Sequence, residues 1–187
     1  MGKLSAELST EHQQFIAQQH LFFVGTAAEA GRVNISPKGL DALRIVSPKQ
    51  VAWLNLTGSG NETAAHVEQQ PRMTLMFCAV AGNPLILRIY GRAQAIHQID
   101  PEWAETYALF NPIAGARQIF LLNVEAVQTS CGMGVPLFDY QGERDQLDAW
   151  AEKKGTEGIA RYWRDKNSVS LDGYATDIVR KNGGWQE

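Results

Sequence analysis

The sequence has few of the residues that build disulfide frameworks and metal centres. Its 187 residues include only two cysteines, Cys78 and Cys131, too few for a disulfide framework, which favours a reducing compartment. The four histidines lack the His-x-His or His-x₃-His spacing of a metal site: His12, His20, His66 and His97. There is also no nucleophile-elbow pattern and no Walker lysine. No metal ligands and no catalytic residues can therefore be assigned from these patterns.

The sequence also has neither an excess of basic residues nor long apolar runs. The net charge of −3 and the pI near 5.8 argue against a dedicated nucleic-acid-binding protein, which is usually basic. The longest apolar runs, such as Leu21–Val24, are far too short to span a bilayer, and the N-terminus has no apolar core of signal-peptide length. With 44% hydrophobic and 20% charged residues, the chain is expected to be an ordinary globular protein of the cytoplasm with a sizeable core.

Short apolar segments of strand character dominate the first two thirds of the chain. In Arg32–Pro37, Val33 and Ile35 alternate with Asn34 and Ser36, so one face of this strand is apolar and the other polar. Six such strands, closely spaced and interrupted by short helices, predict antiparallel pairing and a closed barrel with helical covers. The predicted class is mostly β (α+β), not the regular alternation of a Rossmann fold.

The segment Val51–His66 joins a predicted buried strand to a predicted helix through Thr57-Gly58-Ser59-Gly60. Ser59 and Glu62 have the spacing of a capping box, which predicts the start of a helix. Because such a terminus presents free N–H groups and partial positive charge, it can hold a phosphate. An ordinary capped turn that binds nothing is the alternative interpretation.

After Gly132 the chain becomes more polar. We therefore expect two parts, a barrel domain over 1–130 and a C-terminal loop and helical extension over 131–187 that packs on the barrel or on a second subunit. The extension carries a predicted helix over Gln141–Lys166, whose aromatic residues supply the packing surface, and a loose tail at Gly183-Gly184.

Five segments follow one another in an order that resembles the pyridoxamine 5′-phosphate oxidase-like superfamily of FMN-binding split β-barrels. These are LFFVGTA, GRVNISPKG, VAWLNLTGSGNETAAHV, QQPRMTLMF and ILRIYGRAQAI, and the resemblance extends from about Leu21 to Val127. The segments SCGMGVP at Ser130–Pro136 and NSVSLDG at Asn167–Gly173 resemble one particular branch of that superfamily.

The resemblance implies a homodimer that binds FMN at the subunit interface. It implies the following contacts to the cofactor: Ser36 and Lys38 on one strand, Trp53, Leu54 and Asn55 on another, and Ser59, Gly60, Asn61 and Thr63 at the phosphate end. The Arg-Lys pair that the best-studied oxidases carry in the phosphate turn is absent, since Asn61 and its neighbours occupy those places. The phosphate would then be held by hydroxyls, backbone N–H groups and Lys38. Two alternatives follow: phosphate affinity is weaker, or a basic residue comes from elsewhere, with Arg72 and Arg88 as candidates.

The implied activity is that of an FMN-dependent oxidoreductase in which hydride passes through flavin N5. The segment PEWAETYALFNP, which corresponds to the substrate-phosphate helix of the true oxidases, has no arginine, so the small-molecule substrate is not identified. Two alternatives stay open. One is a split barrel that binds FMN or another flat cofactor, such as haem or a deazaflavin, without oxidising vitamin B6 compounds. The other is a flavin-free dimeric interaction protein. No nucleic acid or membrane partner is expected.

Overall fold

The computed structural model describes residues 2–182, and the strands of this part of the chain form one antiparallel sheet. The predicted Gly183-Gly184 tail lies outside the described residues. The eight strands are β1 (Lys3–Ser5), β2 (Phe22–Thr26), β3 (Asn34–Lys38), β4 (Leu43–Ser47), β5 (Gln50–Leu56), β6 (Arg72–Cys78), β7 (Ile86–Ile96) and β8 (Ala116–Ser130). The helices are α1 (Thr10–Ala17), α2 (Glu62–Gln69), α3 (Trp103–Tyr107), α4 (Gln146–Tyr162) and α5 (Ile178–Lys181), with a π-helical turn over Trp163–Asn167.

The sheet has the strand order β3-β2-β6-β7-β8-β5-β4, and β1 pairs with β8 beside this path. Every pairing is antiparallel, as the short connections require. Three strands separate β2 from β5 in this order, yet the rings of Phe22 and Trp53 meet at 6.5 Å between centroids. The sheet therefore curls into a barrel around an enclosed core.

The barrel core is formed by the inward residues of each strand. Along β7, Leu87 and Ile89 are fully buried, and on β5 and β8 the rings of Trp53 and Phe120 stack at 4.6 Å. Burying one such aromatic side chain contributes on the order of 2–3 kcal/mol to folding. The prediction of an antiparallel, mostly β barrel is confirmed. The strand count of six is too low, since the sheet has eight strands and the three-residue β1 has no apolar alternation by which to recognise it.

The residues after 131 pack onto the barrel through their own small core. Ile159, Trp163 and Ile178 are buried there, and the Trp163 Nε1–H donates a hydrogen bond to Thr57 Oγ1 at 2.8 Å. Within α4 the helix is broken at Gly155, whose φ of 63° belongs to the left-handed region that glycine adopts without strain. No helix within residues 2–182 is long and apolar enough to cross a membrane.

Candidate functional site

The strand β3 is oriented with its polar face inward. Asn34, Ser36 and Lys38 are partly buried, whereas Ile35 and Pro37 between them are exposed. The alternation that the sequence shows is thus present, but the apolar face points to solvent. Asn34 Nδ2 donates a hydrogen bond to Thr63 Oγ1 on α2 at 3.3 Å, which fixes β3 beside the start of that helix.

The turn between β5 and α2 forms the second wall of the site. The helix begins at Glu62 with Asn61 as its N-cap residue, and Asn61 makes no side-chain cap hydrogen bond. The predicted capping box of Ser59 and Glu62 is therefore wrong. The carboxylate of Glu62 instead accepts a hydrogen bond from the Leu171 N–H of the extension at 3.1 Å. Because no side chain caps the helix, its first N–H groups are available to a ligand.

The third wall is Arg117, which a β-bulge brings into the site. Asn55 pairs with Gln118 and Leu56 with Ala116, so Arg117 is the extra residue of β8 and turns out of the ladder. Its side chain is buried, and burial lowers the pKa of the guanidinium. The guanidinium donates hydrogen bonds to Gly60 O at 3.0 Å and to Asn167 Oδ1 at 2.8 Å.

These three walls enclose a cavity of about 300 Å³, which we call the polar cavity. It is lined by Asn34, Ser36, Lys38, Asn55, Leu56, Gly58, Ser59, Gly60, Asn61, Glu62, Thr63 and Arg117. Three buried polar atoms on its lining residues have no hydrogen-bond partner within residues 2–182: Ser36 Oγ, Asn61 Oδ1 and Arg117 Nε. Buried polar atoms without a partner are rare in folded proteins, so these three favour a polar ligand.

The polar cavity carries an excess of positive charge. Neither Lys38 nor Arg117 has a carboxylate at ion-pair distance in the described part of the chain. Burial, with a smaller contribution from the charge of Arg117, lowers the pKa of Lys38 from 10.5 to about 8. The one acidic lining residue, Glu62, already accepts the Leu171 N–H. Two cations with so little compensation make this cavity suited to an anion.

Seven of the nine residues that the sequence nominated line the polar cavity: Ser36, Lys38, Asn55, Ser59, Gly60, Asn61 and Thr63. Trp53 and Leu54 do not. The Trp53 side chain is fully buried in the barrel core and meets the site only through Lys38, whose Nζ lies 5.5 Å from its ring centroid. Leu54 is buried in a second apolar cluster, with Phe110 and Ile119.

The arginine that lines the polar cavity is Arg117, and neither of the two arginines that the sequence suggested lies there. Arg72 lies on another surface, in a cavity that it shares with Val33 and Ile35, and Arg88 donates to Ser130 Oγ at 3.2 Å. A β-bulge cannot be recognised from the pattern of apolar residues. Apart from its position at the start of β8, nothing in the sequence therefore identified Arg117 as a residue of the site.

The extension supplies a further residue of the site, Asn167, which sequence reasoning also missed. Asn167 is completely buried, and its amide accepts from Arg117 and donates to Gly58 O at 3.1 Å. Its backbone oxygen accepts from Asn61 Nδ2 at 3.5 Å, at the outer limit for such a bond. Asn167 thus connects Arg117 with both ends of the turn that lines the polar cavity.

Comparison with known proteins places the barrel in a family. The sequence pattern of the pyridoxamine 5′-phosphate oxidase family matches residues 8–131. The chain is 35% identical over 184 residues to the pyridoxamine 5′-phosphate oxidase family protein ustO of Aspergillus flavus, covering 89% of this chain and 74% of that protein.

Solved structures share the fold at lower identity. HupZ from Group A Streptococcus has a TM-score of 0.53 and 20% identity, over 64% of this chain and 90% of that one. A Lactobacillus delbrueckii protein, described as a candidate pyridoxamine 5′-phosphate oxidase, has a TM-score of 0.54 and 19% identity, over 66% and 94%. Because the family's sequence pattern covers the strands β2 to β8 and a relative shares 35% identity, this chain belongs to the pyridoxamine 5′-phosphate oxidase family.

Proposed function

We propose that the protein binds FMN with the phosphate in the polar cavity and acts as an FMN-dependent oxidoreductase. The observation that carries the proposal is the convergence of Lys38 and Arg117 on one small cavity without a paired carboxylate in the described chain. Two buried like charges are costly alone, and a phosphate dianion would compensate both through charge-assisted hydrogen bonds.

The unpartnered atoms of the polar cavity also fit the phosphate end of FMN. Ser36 Oγ and Arg117 Nε can donate to phosphate oxygens, whereas Asn61 Oδ1 can only accept. A ligand that satisfies all three must carry both acceptors and a donor, and a phosphate joined to a hydroxyl-bearing ribityl chain carries both. When bound, FMN would accept or donate hydride at N5, and the residues described above would hold its charged end.

The polar cavity does not favour haem. Its lining residues, all within the described chain, include no histidine, cysteine or methionine to serve as an axial ligand to iron. The match to a phosphorylated cofactor is therefore better than the match to haem.

We further propose that the protein is a homodimer. The outer faces of β2, β3, β6 and β7 form a mainly apolar surface with a depression of about 540 Å³. Its lining includes Phe23, Val33, Ile35, Met76 and Tyr90, together with the charged residues Arg72 and Glu125. Val33 is 70% exposed and Ile35 is 68% exposed. A contiguous apolar surface of this kind usually marks an interface, and a second copy of the chain is the partner that the family resemblance suggests.

The test of the proposed cofactor is a comparison of FMN with riboflavin, which lacks only the phosphate. Calorimetric titration should show at least about tenfold tighter binding of FMN, because charge-assisted phosphate contacts contribute more than about 1.4 kcal/mol in total. The purified protein should show a flavin spectrum and release FMN on heating. A colourless protein whose melting temperature FMN does not shift would contradict the proposal.

A further inference from the structure

A second cavity, of about 700 Å³, lies between the barrel and the extension, and we call it the aromatic cavity. Its barrel side includes His20, Leu21 and Leu40, and its extension side includes Tyr140, Leu147, Trp150 and Tyr162. It shares Gly58 and Ser59 with the polar cavity, so the two cavities adjoin at the turn before α2. Its volume is within the usual range for sites that bind small molecules.

Specific contacts fix the outer wall of the aromatic cavity to the barrel. The Tyr140 ring stacks on the His20 ring at 3.6 Å between centroids with an interplanar angle of 4°. The Tyr140 hydroxyl donates to Glu143 Oε1 at 2.9 Å, and the Leu40 N–H donates to Glu143 Oε2 at 3.3 Å. The stacked pair holds this loop of the extension against the connection before β2, and the hydrogen bond from Leu40 holds it against the β3–β4 connection. The bond between Tyr140 and Glu143 lies within the loop itself.

The backbone of the β3–β4 connection is strained where it lines the aromatic cavity. Leu40 has a φ of 60° and the adjacent Asp41 a φ of 54°, both in the left-handed region. For residues other than glycine this conformation is sparsely populated and unfavourable. The hydrogen bond from Leu40 to Glu143 contributes to keeping the chain there.

The chemistry of the aromatic cavity differs from that of the polar cavity. Trp150 and Tyr162 meet edge to face at 5.0 Å, and the leucines complete a mainly apolar lining. Glu143 and Arg144 carry opposite charges, and Glu143 already accepts two hydrogen bonds. Among the described lining residues there is no pair of cations like Lys38 and Arg117, so a phosphate in this cavity would lose its hydration without compensation.

We propose that the aromatic cavity binds an uncharged aromatic molecule, and that this molecule belongs to the class of the substrate. The first part depends only on the cavity, and the second rests on the proposed function. Apolar walls with aromatic edges bind flat rings through buried area and ring–ring contact. The adjacent polar cavity would hold the only phosphate of the complex, that of the cofactor. The substrate class is therefore an unphosphorylated aromatic compound.

The experiment uses 2-naphthol and 2-naphthyl phosphate, which share one ring system and differ in the phosphate. The FMN-loaded full chain is titrated with each by calorimetry, so that the polar cavity is already filled. We expect 2-naphthol to bind at least about tenfold more tightly than the phosphate ester. Leu147→Glu and Trp150→Ala should each weaken 2-naphthol binding about tenfold. The first introduces a charge into the apolar lining, and the second removes an aromatic ring that forms part of the wall.

Trp103→Ala is the matched control, since Trp103 stacks on Tyr107 away from the aromatic cavity and should leave 2-naphthol binding unchanged. The proposal would be overturned if the two probes bound equally well, if 2-naphthol did not bind, or if neither cavity variant changed 2-naphthol binding. A loss of FMN affinity in Leu147→Glu would also overturn it, because the aromatic cavity would then belong to the cofactor. A different result would separate the two proposals: the wild type does not bind FMN but binds 2-naphthol, and Leu147→Glu weakens that binding. The proposed function would then be wrong, whereas the aromatic cavity would still be a binding site.

Discussion

Lys38 and Arg117 set the electrostatics of the candidate site. Both are buried to a large extent, both line the polar cavity, and the charge of Arg117 helps to lower the pKa of Lys38. Holding two such charges without a paired carboxylate destabilises the ligand-free protein. Because the two charges do not stabilise the fold, the binding of an anionic ligand explains their presence better.

Replacing Lys38 with methionine should have opposite effects on stability and on binding. The pKa of Lys38 is lower in the folded protein than its ordinary value of 10.5, so protonated Lys38 disfavours folding at pH 7. Lys38→Met should raise the free energy of unfolding of the ligand-free protein by about 1–3 kcal/mol. The gain should shrink as the pH rises through about 8, because the wild type then loses this charge.

The same substitution should weaken FMN binding at least about tenfold and leave riboflavin binding nearly unchanged, because only FMN carries the phosphate. Urea denaturation and calorimetry measure the two effects. Arg92→Met, on the exposed face of β7, is the control for removing a cation at the surface. A substitution that weakens both flavins equally would place Lys38 at the ring and not at the phosphate.

The pH dependence of FMN affinity follows from the same group. Lys38 binds phosphate in its protonated form, and its pKa of about 8 in the ligand-free protein means that this form is lost as the pH rises above 8. The phosphate is already a dianion at pH 7, so it does not compensate. Between pH 7 and 9 the dissociation constant should rise by up to about tenfold. Calorimetry in Lys38→Met should show no such rise, and a flat wild-type profile from pH 7 to 9 would exclude this role.

The family resemblance nominated Ser36 and Lys38 as cofactor contacts, and that role stays a prediction. Ser36 and Lys38 share a face with Asn34 because side chains alternate along β3, and all three line the polar cavity. Arg117 could not be predicted in this way, because the bulge between β5 and β8 moves it out of the alternating pattern. Asn167 was missed because it lies 50 residues further along the chain, at the end of the π-helical turn.

At the scale of elements, the extension and the turn before α2 act as one unit. Asn167 joins Arg117 to Gly58, Trp163 bonds to Thr57, and Glu62 holds the Leu171 N–H. The position of the turn therefore depends on residues beyond the match to the family pattern, which ends at residue 131. The sequence predicted the strand β5 and the helix that follows it, but it placed the helix cap at Ser59 because it could not show that the Glu62 side chain turns to the extension.

Substitutions of Asn167 test this coupling. Asn167→Asp keeps an acceptor for Arg117, loses the bond to Gly58 O, and adds a negative charge beside the guanidinium. Asn167→Asp should weaken FMN binding by more than about tenfold, because the new carboxylate competes with the phosphate for Arg117. The loss of affinity should be larger than in Asn167→Ala. Riboflavin titration by calorimetry should show a smaller loss in both variants.

The control is Asn123→Ala, which removes an exposed amide that bonds to Gln50 on the surface of the sheet. Its FMN affinity should equal that of the wild type. If Asn167→Ala weakened FMN more than Asn167→Asp, Asn167 would act by supporting the fold of the turn and not by positioning Arg117.

At the scale of the whole molecule, the inverted orientation of β3 links the cofactor site to the oligomeric state. The strand directs its polar face into the polar cavity, and its apolar face is therefore left on the surface with the outer faces of β2, β6 and β7. A monomer would keep this apolar surface in water, whereas a dimer that covers it would place the two sites near the interface. The alternation in Arg32–Pro37 was readable from sequence, but its direction was not, because an apolar face is normally the buried one.

Ile35→Asp is the substitution that tests the dimer directly. Ile35 is 68% exposed in the single chain, so an aspartate there should not disturb the barrel core. Burying its charge at an interface would be costly even with Arg72 in the same depression, because the loss of hydration can exceed the gain from an ion pair. We expect wild-type protein to sediment as a dimer and Ile35→Asp as a monomer with an unchanged circular dichroism spectrum. Val46→Asp, at an exposed position on β4 outside this surface, should remain a dimer. A monomeric wild type, or a dimer that survives Ile35→Asp, would show that this face is not the subunit interface.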